Sequence, residues 1–193
     1  MSESHTPVTK SYFFGLLLIL AALPSPSHAE KGNQELILSG GGGMGNFLIQ
    51  QDSNAGAKLV GANWSYQFYD YPSQHHLQWW AQVSYSYMWD ERAGGIEDRQ
   101  HIVEVKPVLR MYPGAEAKGF FGEAGLGAAY LDEREFGNIS LSTNLNFSMH
   151  FAAGYTFPGD CAVSLRYSHF SNGYTNTPNP GFDFFSLNWH IPF

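Results

Sequence analysis

Residues 77–89 alternate strictly enough to decide what kind of sheet this chain can form. Leu77, Trp79, Ala81, Val83, Tyr85, Tyr87 and Trp89 share one parity. Gln78, Gln82, Ser84 and Ser86 share the other, with Trp80 and Met88 as exceptions. A period of two is the signature of a strand with two unlike faces. Strands of soluble domains usually stop after about five or six residues, and this one runs for more than twice that. Residues 139–153 repeat the pattern. Ile139, Leu141, Leu145, Phe147, Met149, Phe151 and Ala153 fall on one face, with Thr143 among them. Ser140, Ser142, Asn144, Asn146, Ser148 and His150 fall on the other.

Runs of this kind begin near Glu35, Ala57, Leu77, His101, Phe120, Ile139, Cys161 and Asp183, eight in all. The connections at 71–74, 113–118 and 158–160 are short and carry Pro or Gly, whereas those at 51–55, 90–98, 132–138 and 173–181 are mostly longer and more polar. An even strand count with short turns at one end and longer loops at the other describes an outer-membrane barrel. A soluble lipocalin-like barrel is the competing architecture, and it would turn its apolar face inward. Here that face is crowded with Trp, Tyr and Phe, too bulky to fill an eight-stranded lumen easily. The opposite face offers Glu104, Lys106, Arg110, Glu123, Asn144, Asn146, His150 and Arg166, a set suited to a narrow interior closed by ion pairs. The expected fold is therefore all-β, an eight-stranded antiparallel transmembrane β-barrel, apolar outside, polar inside and without an open pore. The last strand agrees, with Phe185, Leu187, Trp189, Ile191 and Phe193 on one face. A terminal aromatic at the end of an alternating strand resembles the signal that such barrels present to their assembly machinery.

The N-terminus gives the address. Lys10, the apolar run 12–23 and the small-residue pattern Ser27-His28-Ala29 have the form of a secretory signal peptide cut after Ala29, leaving residues 30–193 as the barrel. Cleavage removes Glu3 and Lys10, one charge of each sign, so the net charge stays at −7. Beyond residue 29 no apolar run reaches the length of a membrane helix. The acidic balance and the lack of a basic stripe exclude nucleic acid as a partner. A single cysteine, Cys161, excludes an intrachain disulfide.

Three polar residues interrupt the outward parity near the C-terminus. Val163, Leu165 and Tyr167 are followed on that face by His169 and Ser171, and Asp183 shares the face of Phe185 through Phe193. If strands seven and eight pair symmetrically about the 173–181 loop, Ser171 and Asp183 become near neighbours. Ten residues from Asp183 to Phe193 span about 33 Å of strand, or roughly 23–25 Å of membrane height at the usual tilt. That places all three residues at the outer edge of the apolar band, where head groups meet acyl chains. A serine needs a base to become a nucleophile, and a carboxylate on the far imidazole nitrogen fixes the tautomer. Asn172, by side chain or backbone, and Asn179 are candidate donors to an oxyanion. The bond attacked would be an ester near a lipid head group.

The segment His169-Phe170-Ser171-Asn172, followed by Pro178-Asn179, Gly181 and Asp183, resembles the active region of the PagL family of outer-membrane lipid A 3-O-deacylases. The match covers roughly the last thirty residues; elsewhere the likeness is one of architecture and strand count. The resemblance implies an external site at the outer leaflet of a Gram-negative outer membrane, with His169 as base, Ser171 as nucleophile and Asn172 as critical for activity. It implies Asp183 as the acid, where the family commonly has Glu. Lipid A, or lipopolysaccharide, is the implied substrate, with no cofactor and no metal. A homodimer is compatible with this reading, which leaves the oligomeric state open. The alternative function is a non-enzymatic structural or adhesive barrel.

Two further motifs point elsewhere. Gly40–Gly45 satisfies G-x-G-x-x-G but lacks the strand–turn–helix setting of a nucleotide site, and glycines on a tightly curved barrel are the plainer account. His75-His76 are adjacent in a short turn, a poor geometry for one metal. Trp79, Trp89 and Trp189 read as interface anchors.

Overall fold

The computed structural model describes residues 32–45, 55–91 and 97–193; the expected signal peptide lies outside the described residues. Ten strands follow in chain order: β1 (Gln34–Gly43), β2 (Lys58–Tyr71), β3 (His76–Glu91), β4 (Glu97–Tyr112), β5 (Gly119–Leu131), β6 (Glu135–Phe136), β7 (Ile139–Ser140), β8 (Leu145–Thr156), β9 (Ala162–Ser171) and β10 (Phe182–Pro192). Eight of them close into one antiparallel barrel in the order β1-β2-β3-β4-β5-β8-β9-β10, and β6 and β7 form a separate two-stranded hairpin. The ring closes where β1 pairs with β10, from Glu35 opposite Pro192 to Gly43 opposite Phe184. Gly41 of the β1 glycine run serves this seam: a Cβ there would sit 2.0 Å from the Phe185 carbonyl oxygen. Close backbone approach is what Gly41 provides there.

The wall has the predicted polarity. Val60, Trp64, Val83, Val105, Leu126, Phe151, Leu165, Leu187 and Trp189 are exposed on its outside. An outward apolar belt of this kind is what a barrel wall presents to lipid. Inside, Glu35, Glu104 and Glu123 face Lys106, Arg110 and Arg166, all buried. Arg110 donates from Nη2 to Glu35 (2.7 Å) and from Nε to Glu123 (2.7 Å), bridging β1 to β5 across the lumen. Its guanidinium lies 4.8 Å from the Trp80 ring centroid. Trp80, an exception to the alternation, thus points inward as a platform for the central cation.

Two expectations need correction. First, residues 139–153 are not one strand. Ile139 and Leu141 are fully buried, and the lipid-facing run starts only at Leu145. The β6–β7 hairpin turns back over the loop end of the barrel, and Asn144 belongs to this connection, donating to the Leu131 and Asp132 carbonyls instead of lining the lumen. Second, the interior is not polar throughout. At the loop end Met88, Ile102, Leu131, Phe170, Phe182 and Phe184 point inward and pack with Phe136, Ile139 and Leu141 of the hairpin connection. The barrel is closed by charge in its middle and by an apolar plug at its loop end.

The charged girdle makes a prediction. Arg110→Ala takes from Glu35 and Glu123 the cation they share in a closed lumen, leaving Glu35 with His190 at 3.3 Å and Glu123 with Arg166 at 3.3 Å, and breaking a buried pair costs about 3–5 kcal/mol. Heated in SDS, the folded species of this variant should lose its distinct gel mobility at a clearly lower temperature than wild type. An unchanged transition would show that the girdle contributes nothing to stability.

Candidate active site

The site is built on β9 and β10. Outward parity on β9 continues past Leu165 to Tyr167, His169 and Ser171. On β10 it runs from Trp189 back through Leu187 and Phe185 to Asp183. The register sets Asp183 directly opposite His169, while Ser171 pairs with Phe147 of β8 on the other side. The expected neighbour relation is therefore corrected: the acid faces the histidine, not the serine. In antiparallel sheets directly opposed residues carry the closest side chains, and the contact is made, with His169 Nδ1 2.6 Å from Asp183 Oδ1.

A carboxylate only accepts, so Nδ1 carries the hydrogen and Nε2 is left as the basic nitrogen. Both groups sit on the outer wall and yet are shielded: His169 is 5% exposed and Asp183 is 0% exposed. The 172–181 loop contributes to the shielding of His169, with Gly181 packed on its ring. Gly181 adopts φ +76°, and a Cβ there would lie 2.7 Å from His169 Cε1. Only glycine satisfies both the backbone and the ring. Away from bulk water the pair's attraction is strengthened, and the imidazole is held in one orientation.

Ser171 lies two residues beyond His169 on the same face, about 6.6 Å along the strand, and is partly exposed. Its neighbourhood is apolar. A groove on the outer wall, lined by Leu126, Ala128, Leu145 and Phe147, runs up to Asn172 and Thr175.

The asparagines occupy different places from those of simple donors. Asn172 has inward parity and is 1% exposed. Its amide nitrogen donates to the Leu141 carbonyl (2.7 Å), to Ser142 Oγ (3.2 Å) and to the Pro178 carbonyl (3.3 Å). Its Oδ1 accepts from Tyr174 N, and its own backbone N–H donates to Asn179 Oδ1 (2.8 Å). The asparagines organise the loop, and donation by Asn172 to an oxyanion would require one of these bonds to be exchanged. Ser142 and Leu141, which hold Asn172, are functional neighbours that the alternation concealed by assigning them to a strand.

His75 and His76 are tied separately. His75 Nδ1 contacts the Pro113 carbonyl, and His76 lies between Asp70 and the Ala115 carbonyl. Among the described residues no group of three or more His, Cys, Asp or Glu side chains is arranged to hold a metal ion.

An integral membrane barrel with a buried imidazole–carboxylate pair on its lipid-facing wall has the equipment of an acid–base enzyme for a membrane-resident substrate. The family model described as lipid A 3-O-deacylase (PagL) matches residues 52–192. A lipid A deacylase PagL of Bordetella bronchiseptica is 30% identical over 132 residues, spanning 67% of this chain and 70% of that protein. The lipid A deacylase PagL of Pseudomonas aeruginosa is 33% identical over 115 residues, 59% of this chain and 63% of that protein. A crystal structure of the outer membrane enzyme PagL superposes with a TM-score of 0.66 at 22% identity, covering 82% of this chain and 99% of that one. The chain belongs to the PagL family of lipid A 3-O-deacylases, and its fold is that of the outer-membrane barrel.

Gly181→Ala tests how the site is packed. The added methyl must displace the His169 ring or the loop. Activity should fall by about 10²-fold, the scale of a 1 Å misplacement, while the folded barrel survives heating as wild type does. Wild-type turnover would mean that the loop does not fix the imidazole.

Proposed function

We propose that this chain hydrolyses the ester holding the acyl chain at the 3 position of lipid A, by a Ser171–His169–Asp183 mechanism on the outer-leaflet side of the outer membrane. The hydrogen bond between His169 Nδ1 and Asp183 carries this reading, because it leaves Nε2 basic and turned away from the acid. His169 Nε2 removes the Ser171 proton as Oγ adds to the ester carbonyl. Collapse of the tetrahedral adduct breaks the bond to the sugar oxygen, which takes the proton back from His169 and leaves as the free 3-hydroxyl. Water then attacks the acyl-serine by the same route, and a fatty acid departs. Asp183 stabilises the imidazolium formed in each half-reaction without itself taking the proton.

The surroundings support a lipid ester as the substrate. The groove beside Ser171 offers an apolar bed for the acyl chain, and the exposed belt of the wall holds the site within lipid. The apolar face of β9 thus carries a histidine and a serine because the substrate arrives from the membrane and not from the lumen. Aspartate in the acid position is a methylene shorter than glutamate, and the direct β9–β10 pairing lets it reach.

Mass spectrometry of lipid A incubated with detergent-solubilised protein tests the mechanism. Wild type should produce a mass loss equal to one ester-linked acyl chain. Ser171→Ala and His169→Asn should lower the rate by about 10⁶-fold, and Asp183→Asn less completely, by about 10⁴-fold, because the serine–histidine pair survives with poorer orientation. Asp183→Glu should stay active, and Ser168→Ala, on the inner face, should match wild type. Wild-type rates from folded Ser171→Ala would eliminate the serine mechanism. No mass loss from wild type across several lipid A forms would favour the non-enzymatic barrel.

A further inference from the structure

The β6–β7 connection has so far only a plugging role, yet its end at Ser142 touches the loop that carries the active site. Ser142 is one of three non-glycine residues with positive φ among the described residues, at +56°. Its hydroxyl donates to the Pro178 carbonyl (2.7 Å) and accepts from Asn172 Nδ2 (3.2 Å). The adjoining Leu141 carbonyl takes the shortest of the Asn172 amide bonds, at 2.7 Å. Leu141 itself is anchored twice. Its side chain is buried among Phe170, Phe182 and Phe184, and its N–H donates to the Arg134 carbonyl. The chain of contacts thus runs from an apolar anchor in the barrel mouth, through Leu141 and Ser142, to both arms of the 172–181 loop. One arm begins immediately after Ser171. The other passes Pro178 and Asn179 to Gly181, which packs on His169.

We propose that Ser142 is a positioning residue of the active site: it joins Asn172 to Pro178 and thereby holds the nucleophile strand end and the histidine-covering segment in one arrangement. This rests on the serine–histidine reading above. A side chain outside the β9–β10 segment would then set the reaction rate without touching substrate. The backbone conformation of Ser142 makes the claim separable from stability. A left-handed residue gains nothing from being serine rather than glycine in backbone terms, so its hydroxyl, not its fold propensity, accounts for the serine.

The test compares wild type, Ser142→Gly and Ser142→Asn as full-length folded protein in detergent, with lipid A as substrate. Ser142→Gly relieves the φ +56° conformation while deleting both hydrogen bonds. It should retain the wild-type heat-modifiability transition. Its kcat should fall by about ten- to a hundredfold, the cost of a slightly misplaced reacting group, with KM within about threefold of wild type. Ser142→Asn, whose side chain tolerates the left-handed region and can both donate and accept, should recover part of the lost kcat. Wild-type kcat in folded Ser142→Gly overturns the proposal, as does a loss confined to KM or an equal loss in Ser142→Asn. If Ser142→Gly does not fold, kcat in Ser142→Asn below that of wild type with unchanged KM supports the positioning role, and equal kcat overturns it. Absence of turnover in wild type would remove the esterase reading and this role with it; an active wild type beside an equally active Ser142→Gly removes this role alone.

Discussion

Within hydrocarbon every backbone N–H and C=O must find its partner inside the protein. That constraint closes β1 onto β10 and leaves no strand edge. It also fixes the register of every pair, because a slip by one residue would turn a whole strand inside out. The geometry of the candidate site follows from this register. Asp183 lies opposite His169 because Leu187 lies opposite Leu165 and Trp189 opposite Val163, all with their apolar side chains toward lipid. The pairing that buries the backbone also delivers the carboxylate to the imidazole. No loop rearrangement is needed to assemble the acid–base pair, and the loop has only to shield it.

The barrel interior answers a different demand. Eight strands enclose too little space for water to solvate buried charges well. The cations are therefore distributed among carboxylates, with Arg110 shared between Glu35 and Glu123, and Lys106 donating to Glu104 at 2.5 Å. Toward the loops the same lumen switches to Phe170, Phe182, Phe184 and the hairpin's Phe136 and Ile139. An apolar plug there gives the 132–144 and 172–181 connections a firm base, which matters because one of them covers His169. Phe170 and Phe182 flank His169, Ser171 and Asp183 in sequence and point the other way, so one face of β9 and β10 packs the plug while the other carries the candidate site.

Much of this was legible from the alternation. Runs of long period-two pattern placed the eight barrel walls, and their parity placed His169, Ser171 and Asp183 outside with Arg166 and Ser168 inside. Other features escaped it. Parity says which face a residue occupies but not which residue it opposes, and the symmetric-loop assumption set Asp183 beside Ser171 when the register sets it beside His169. The pattern also ran through 139–145 without a break, although β8 starts only at Leu145. An apolar residue on alternate positions looks the same whether it faces lipid or fills a barrel mouth. The signal that could have separated them was present at Met88, Ile102, Leu131, Phe170, Phe182 and Phe184. On five strands the inward parity turns apolar near the loop end, which calls for an apolar occupant that the hairpin supplies. The commitments of Asn172 and Ser142 were not readable, since they depend on two loops distant in sequence.

The central claim is that a serine on the lipid-facing wall, activated by His169, is the nucleophile. Covalent trapping tests it most directly. A long-chain fluorophosphonate forms a phosphorus–oxygen bond with an activated serine and expels fluoride, and peptide mass spectrometry then reads which hydroxyl was taken. The adduct should lie on Ser171 and not on its inward neighbour Ser168, and it should vanish in His169→Asn. Protein that still deacylates lipid A after exposure to the probe, with Ser171 unmodified, would contradict the account.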